Sequence, residues 1–268
     1  MAFDTDADRA VSDLAPPPAD ADGLHLGAHH RAAAAAACRA APSQRVPIPP
    51  YLLKVYWWTY VHPLALAVFD HMLIINLILL TNYNRMRDRA LACFTGAADR
   101  VLQISCAYGD VTPRLAAKLA PGGGSLDVID VLAVQLDNVR RKLSPAAPAR
   151  LMNMDSTALA LPDAAYDRVL LFFLLHEQPE DARRQTLAEA LRVVRPGGEI
   201  VVVDFACPYR WNPFRYLWAV FLRIFEPFAL DLWRHDLGHF LPADAATRLE
   251  TARYFGGLFQ RTTITREA

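Results

Sequence analysis

The chain has 268 residues, 53% hydrophobic and 21% charged, enough for one domain with additions or two small ones, with a core that stands without disulfides. Lysine plus arginine and aspartate plus glutamate both number 28, and a net charge of zero argues against nucleic acid as the main partner, since phosphate binding draws on a basic excess. Cys38, Cys93, Cys106 and Cys207 show no CxxC spacing, which argues against a zinc site or redox pair and fits a reducing compartment.

Residues 1–44 are rich in Ala, Pro and Asp, with a run at Ala32–Ala37. They read as a disordered extension with at most a short helix at the alanines. Six aspartates before Leu24 argue against a signal peptide or a mitochondrial presequence. Residues 45–98 read as an N-terminal helical cap: Tyr51, Tyr56, Trp57, Trp58 and Tyr60 lead to a helix start at His62-Pro63. Leu64–Leu80 is strongly apolar but shorter than the roughly 20 residues of a span. It contains Asp70, and an Asp near a helix centre costs about 2.5–3.5 kcal/mol to insert. A buried or membrane-surface helix is therefore expected, not a crossing.

From Asp99 the pattern alternates. Strands are expected at Val101–Cys106, Ser125–Ile129, Leu151–Met154, Tyr166–Leu175 and Glu199–Phe205, with helices at Pro113–Leu119, Val131–Leu143 and Asp181–Val194 and a turn at Arg195–Gly198. The alternation predicts an α/β, doubly wound, Rossmann-like parallel sheet over residues 99–268. A helical, aromatic insertion at about 207–255 interrupts it, and Leu258–Thr265 reads as a last strand. With the N-terminal helices, the insertion is expected to cap one sheet edge.

The chemistry gathers at strand ends. Val101–Asp110, VLQISCAYGD, is a strand, a turn with one glycine and a helix start, where doubly wound folds bind a nucleotide or nucleoside. Asp130 ends the second strand 21 residues after Gly109, placed for ribose hydroxyls, and Asp155 ends the third, placed for an adenine amine. G-x-G-x-x-G is absent, against an NAD site. The ordered set resembles a class I S-adenosylmethionine-dependent methyltransferase. Such proteins usually read V-L-D/E-x-G-x-G-x-G in the first strand and turn. Here the acid is replaced by Gln103 and the first two glycines by Ser105 and Ala107, leaving Gly109 flanked by Tyr108 and Asp110. A carboxylate favours the protonated amine of the cofactor, so neutral Gln103 leaves that amine more often free. Side chains at Ser105 and Ala107 restrict close backbone approach.

A narrower resemblance lies in Tyr56-Trp57-Trp58 with Tyr60–Pro63, Asn76–Leu79, the Tyr108-Gly109-Asp110 turn, Asp127–Val131 with Gln135, Phe172–Pro179 (FFLLHEQP) and Glu226–Trp233 (EPFALDLW). From about Val46 to Arg266 the chain resembles the RquA-type rhodoquinone biosynthesis proteins. Thr59 and Thr81 depart from that family's usual alanine and glycine. The resemblance implies conversion of ubiquinone to rhodoquinone, an amino group replacing a ring methoxy group. It also implies S-adenosylmethionine as amino donor, Mn2+ as cofactor, and peripheral attachment to the bacterial inner membrane on its cytoplasmic side. Gln103, Ser105, Gly109, Asp130, Val131, Gln135, Asp155 and Ser156 would hold the donor. Tyr108, Asp110 and His176 would be catalytic, Asp110 or His176 taking the amine proton. Asp110, His176 and Glu177 would be the metal candidates.

Two other readings stand beside this one. One is a conventional methyltransferase acting on a lipophilic quinone or phenol; the other is a non-catalytic lipid- or quinone-binding module. Arg210, Arg215 and Arg223 among Trp211, Trp218 and Phe221 suggest an interfacial helix meeting anionic lipid. His235 and His239 lie four apart, but a surface or structural role suits them better than metal binding.

Overall fold

A computed structural model describes residues 46–56, 68–96, 98–106 and 108–268. The expectations for residues 1–44, Trp57–Pro63 and Ala107 lie outside the described residues, as does the first part of the Leu64–Leu80 helix. Residues 45–268 form one unit. The elements in order are α1 (Pro50–Val55), α2 (Met72–Ile78), α3 (Tyr83–Leu91), β1 (Arg100–Ile104), α4 (Val111–Leu119), β2 (Ser125–Asp130), α5 (Ala133–Lys142), β3 (Ala149–Asn153), β4 (Tyr166–Phe172), α6 (Glu180–Val193), β5 (Val194–Phe205), α7 (Phe214–Phe225), α8 (Asp231–Arg234), β6 (Thr247–Tyr254) and β7 (Phe259–Arg266).

One seven-stranded sheet runs β3-β2-β1-β4-β5-β7-β6. Strands β1 to β5 are parallel, and β7 is antiparallel to both its neighbours. The central strands are apolar on both sides because helices cover both faces. Alternate residues feed separate cores: Val101, Leu170, Phe172, Val201 and Val203 enter one layer, and Leu102, Val169, Leu171, Ile200 and Val202 the other. The chain leaves β1 toward β2 on one side and later returns to β4 on the other. That topological switch opens a crevice at the carboxyl ends of the strands.

The doubly wound sheet expected from the sequence is present. Three local readings change. The insertion is not wholly helical, since Thr247–Tyr254 forms the edge strand β6, paired along its length with β7. Its residues alternate weakly and most are exposed, so they carried little strand signal. The Pro196-Gly197-Gly198 turn is absorbed into β5, with a register shift against β4 and Gly197 at φ +74°. In α7, Trp218 is buried and Phe221 is half-buried against the core; of the three aromatic residues expected to face lipid, only Trp211 stands fully exposed.

The reversal between α2 and α3 carries strain. Leu80 and Thr81 both adopt left-handed backbone, at φ +49° and +62°. A β-branched residue is disfavoured there, and Thr81 occupies the place where the resembling family has glycine. Thr81→Gly should raise the unfolding free energy by up to about 1 kcal/mol, relief of strain exceeding the entropy glycine adds to the unfolded chain. Urea denaturation checks this; an unchanged or lower midpoint would show that the strain is already compensated.

Candidate functional site

A cavity of about 290 Å³ lies at the switch point. Its walls come from α1, α2, the turn after β1, the ends of β2 and β4, the segment after β3, and α7 with Glu226. Of the residues expected to hold the donor, Ser105, Asp130, Val131, Gln135, Asp155 and Ser156 line it; so do the catalytic candidates Tyr108 and His176 and the metal candidate Glu177. Among the described residues no lysine or arginine lines it, whereas Asp130, Asp155, Glu177 and Glu226 do. The lining suits a cationic ligand with an apolar co-ligand.

Asp130 is braced before any ligand arrives. It accepts hydrogen bonds from the Cys106 amide at 2.9 Å, the Leu132 amide at 2.8 Å and the Ser105 hydroxyl at 3.3 Å. Burial pushes its pKa up against these bonds. Ser105, at the place of the first expected glycine, holds φ +71°, a glycine-like backbone on a residue that spends its hydroxyl on Asp130. Asp155 accepts from the Thr157 amide and hydroxyl, both at 2.9 Å. The Ser156 hydroxyl sits in a network with Thr186 and Gln178.

Gln103 does not face the cavity. It is fully buried beneath the turn, its amide nitrogen donating to the Ser105 carbonyl and the Thr112 hydroxyl, both at 2.9 Å. A carboxylate could not make the first of these bonds, because it has no proton to give. The substitution that stood out in the sequence thus acts on the shape of the turn.

The N-terminal helices hold the other half of that turn. The Tyr83 hydroxyl accepts from the amides of Asp110 at 2.8 Å and Val111 at 3.1 Å, capping the start of α4. A Cβ on Gly109, at φ +90°, would lie 2.2 Å from that hydroxyl, so no other residue fits. Asp70 accepts from the Gly109 amide at 2.8 Å and from Asn138 at 2.9 Å, and Lys142 bridges Asp70 and the Gly109 carbonyl. The sequence reading used Asp70 only as an argument against a membrane span. Its partners lie far along the chain, at Gly109, Asn138 and Lys142, and no local pattern announces them.

Asp110 stands apart from the cavity lining. Arg87 donates to both its oxygens at 2.9 Å and Arg114 reaches the same carboxylate. Burial alone would raise its pKa, but these two guanidinium groups hold it below the ordinary carboxylate value. A carboxylate so stabilised is a poor proton acceptor, and two cations beside it repel a metal ion. Through Arg87 it ties α3 to the start of α4, a structural role beside the catalytic one expected for it.

His176 and Glu177 lie in a short 3-10 turn, Leu175–Glu177, directly after β4. Asp204, fully buried at the end of β5, organises this turn. It accepts from the amides of Leu175 at 2.9 Å and His176 at 3.3 Å, and its other oxygen lies 2.9 Å from His176 Nδ1. Arg183 of α6, also fully buried, donates to the carbonyls of Leu175, Gln178 and Phe228 at 2.8–2.9 Å. One guanidinium thus ties the His176 turn to the segment after Glu226. Glu226 lines the cavity with its Oε2 4.0 Å from His176 Nε2, and it interacts with the buried Tyr56 hydroxyl. Asp204, Arg183, Tyr56 and Glu226 were missed as site residues; the EPFALDLW run held Glu226 in plain sight, but with no partner to suggest its role.

Burial alone would lower the His176 pKa, but Asp204, Glu226 and Glu177 outweigh it and push it up to about 9. This shift favours the protonated imidazole, a form that donates a hydrogen bond. Burial pushes the Glu226 pKa up, partly countered by His176 and Tyr56. Among the described residues, cavity-lining Gln178 Oε1 is buried without a hydrogen-bond partner, an acceptor that a polar ligand would satisfy.

The donor set does not fit the expected manganese. His176 Nε2 lies 3.8 Å from Glu177 and 4.0 Å from Glu226, and the raised pKa of His176 sets a proton in competition with a metal there. Among the described residues no three His, Cys, Asp or Glu side chains form a metal-binding group. His235 and His239 stack on each other at 3.9 Å, with His239 bonded to Arg184, a surface arrangement.

Comparison with known proteins agrees with this geometry. A model of the methyltransferase domain matches residues 101–198. Demethylmenaquinone methyltransferase of Symbiobacterium thermophilum is 28% identical over 143 residues, 51% of this chain and 55% of the relative. The enzyme of that name from Thermus thermophilus is 30% identical over 156 residues, 58% of this chain and 69% of the relative. Aligned residues span about half the length of several of these curated relatives. The crystal structure of the N-methyltransferase NodS from Bradyrhizobium japonicum superposes with a TM-score of 0.50 over 70% of this chain and 99% of that one, at 15% identity, a likeness of fold. With its sheet order and its nucleoside-type crevice, the chain belongs to the class I S-adenosylmethionine-dependent methyltransferase family.

Two outcomes follow. Because the His176 pKa is raised, its stabilisation is fully present below the unfolded value near 6.5 and is lost as pH rises through about 9. Stability should fall by on the order of 3 kcal/mol across that window in the native chain and less steeply in His176→Gln, read by urea titration at several pH values. Arg183→Met removes a charged donor from three carbonyls and should cost about 3 kcal/mol; a loss under about 1 kcal/mol would show that the clasp is dispensable.

Proposed function

We propose that this chain acts on a ubiquinone-type isoprenoid quinone, replacing a ring methoxy group with an amino group drawn from S-adenosylmethionine. The observation that carries the reading is the pair that faces the cavity, His176, held by buried Asp204 at Nδ1, and Glu226, whose Oε2 lies 4.0 Å from His176 Nε2. Carboxylates without a balancing lysine or arginine favour a cationic donor, and the aromatic wall of Phe172, Phe173, Phe205, Phe221 and Phe225 favours a flat, apolar acceptor.

His176 Nε2, held in orientation by Asp204 at Nδ1, donates a hydrogen bond to a quinone oxygen and stabilises the negative charge that develops there. Glu226 takes a proton from the donor amine, which bonds to the methoxy-bearing carbon. The carbon–oxygen bond breaks and methanol leaves with the methoxy group and that proton. Freeing the nitrogen from its donor carbon balances with one water: the carbon is oxidised to a 2-oxo acid while the quinone ring is reduced to the hydroquinone. Tyr108, whose phenol burial keeps protonated, borders the donor pocket. Asp130 and Asp155 meet ribose and adenine. Manganese enters none of these steps. Attachment to the cytoplasmic face of a bacterial inner membrane belongs to the same proposal.

The second reading is conventional methyl transfer to a quinone, and the demethylmenaquinone methyltransferases among the relatives favour it. One experiment separates the two. The purified chain receives a short-tail ubiquinone and S-adenosylmethionine labelled with a heavy nitrogen at the amine and deuterium at the methyl. Heavy nitrogen in an aminoquinone supports amino transfer. Deuterium in the product, with S-adenosylhomocysteine released, supports methyl transfer and refutes the main reading. Glu226→Gln should lower kcat at least about a hundredfold with little change in donor affinity, as expected on losing a general base. Asp110→Asn should affect stability more than kcat.

A further inference from the structure

We propose that the outward faces of α2 and α7 form a docking surface for an anionic lipid bilayer, through which the quinone reaches the cavity. The inference deepens the quinone reading by naming the partner that delivers the substrate. Each helix is two-sided. The inward side of α7 sends Trp218 and Leu222 into the core and Phe221 and Phe225 to the cavity wall; that of α2 sends Ile75 and Ile78 to the same wall. The outward sides are bare aliphatic and aromatic surface: Tyr216 73%, Leu217 61%, Val220 59% and Ile224 65% exposed on α7, Leu73 67% and Leu77 69% on α2. Large apolar side chains left in water forgo burial, so six of them exposed on two helices that also line the cavity mark an interaction surface.

Charge selects the occupant. Neither helix contains an acidic residue. Asp70, just before α2, is consumed by Lys142 and the Gly109 amide, and Glu226, just after α7, turns into the cavity. Arg210 and Arg223 are exposed on and beside α7, with Trp211 also exposed. Arginine and tryptophan flanking an aliphatic face are the pattern of a helix lying in the headgroup layer of an anionic membrane. At 12 residues α7 is about 18 Å long, well short of the roughly 30 Å hydrocarbon core, and no described helix is long and apolar enough to cross. It can lie in the interface but cannot span. A bilayer on this surface would present an isoprenoid tail to the wall that the inward sides of these helices share with the cavity.

The test is flotation of the full chain with vesicles of phosphatidylcholine alone or mixed with phosphatidylglycerol, without quinone. The expected result is strong binding to the mixed vesicles and weak binding to the neutral ones. Leu217→Glu with Ile224→Glu, and the milder Leu217→Ser with Ile224→Ser, should weaken it at least about tenfold, since each withdraws two large side chains from the bilayer. Arg223→Glu should weaken binding to mixed vesicles only. All variants should keep the native thermal midpoint and turnover of a short-tail quinone. Binding that is absent, or equal in native and variant chains, overturns the proposal. So does a concentration-dependent dimer that the variants abolish, which would give this face to a second copy. If no quinone is turned over while the variants still lose vesicle binding, the docking surface stands and the quinone reading fails.

Discussion

Two fully buried charges, Arg183 and Asp204, determine what the rest of the site can be. Neither can be left unpaired in a low-dielectric interior, and each is satisfied almost entirely by the backbone of one short segment. Asp204 collects amide protons at the start of the Leu175–Glu177 turn, and Arg183 collects carbonyls at both its ends. The turn is thereby gripped from two elements, β5 and α6, and the imidazole it carries can adopt only the orientation that Asp204 imposes. Arg183 adds a third carbonyl, that of Phe228, which fixes the segment bearing Glu226 relative to the same turn. The distance between His176 and Glu226 is therefore set by the buried guanidinium, with no direct bond between them.

The donor side of the cavity depends on a second, separate set of contacts. In a glycine-rich turn the backbone itself makes room for the ligand. Here two of the expected glycines are missing, and side chains from elsewhere do the shaping. Tyr83 caps α4, Asp70 and Lys142 clamp Gly109, and Gln103 supports Ser105 from below. The N-terminal helices are thus part of the donor pocket and not merely a lid on the sheet. The capped start of α4 also cannot offer the Asp110 and Val111 amides to an anion, since the Tyr83 hydroxyl already takes both.

The sheet was legible because its signal is local and repeated. Runs such as Val169–Phe172 and Ile200–Val203 are apolar at every position, as a strand buried on both faces must be, and strand-end aspartates recur at matching places. Asp130 and Asp155 could be placed from order alone. The site's second half was not legible because its determinants are long-range: Arg183 to Phe228, Asp70 to Gly109, and His176 to Asp204. Asp110 was ambiguous for the converse reason. Its position beside the only glycine of the turn suggested a reacting group, while Arg87, 23 residues earlier, had already claimed it. β6 escaped because an exposed edge strand has no buried face to impose alternation.

The electrostatic arrangement bears on the choice between amino and methyl transfer. A sulfonium donor needs no acid at the acceptor; methyl transfer to a quinol carbon asks only for a base that draws the ring proton away. Addition of an amine to a quinone carbon builds negative charge on the ring oxygen, which a fixed cation stabilises, and releases a proton, which a nearby carboxylate must accept. His176 and Glu226 face the same cavity and bear on each other: the neighbouring carboxylates push the His176 pKa up, and His176 tempers the rise in the Glu226 pKa. An enzyme that needed only a base would gain nothing from keeping a cation in an apolar cavity, where an unused charge is costly. A proton held on His176 beside an aromatic wall, with buried Asp204 at Nδ1, suits the proposed amino transfer, in which charge would develop on the acceptor ring.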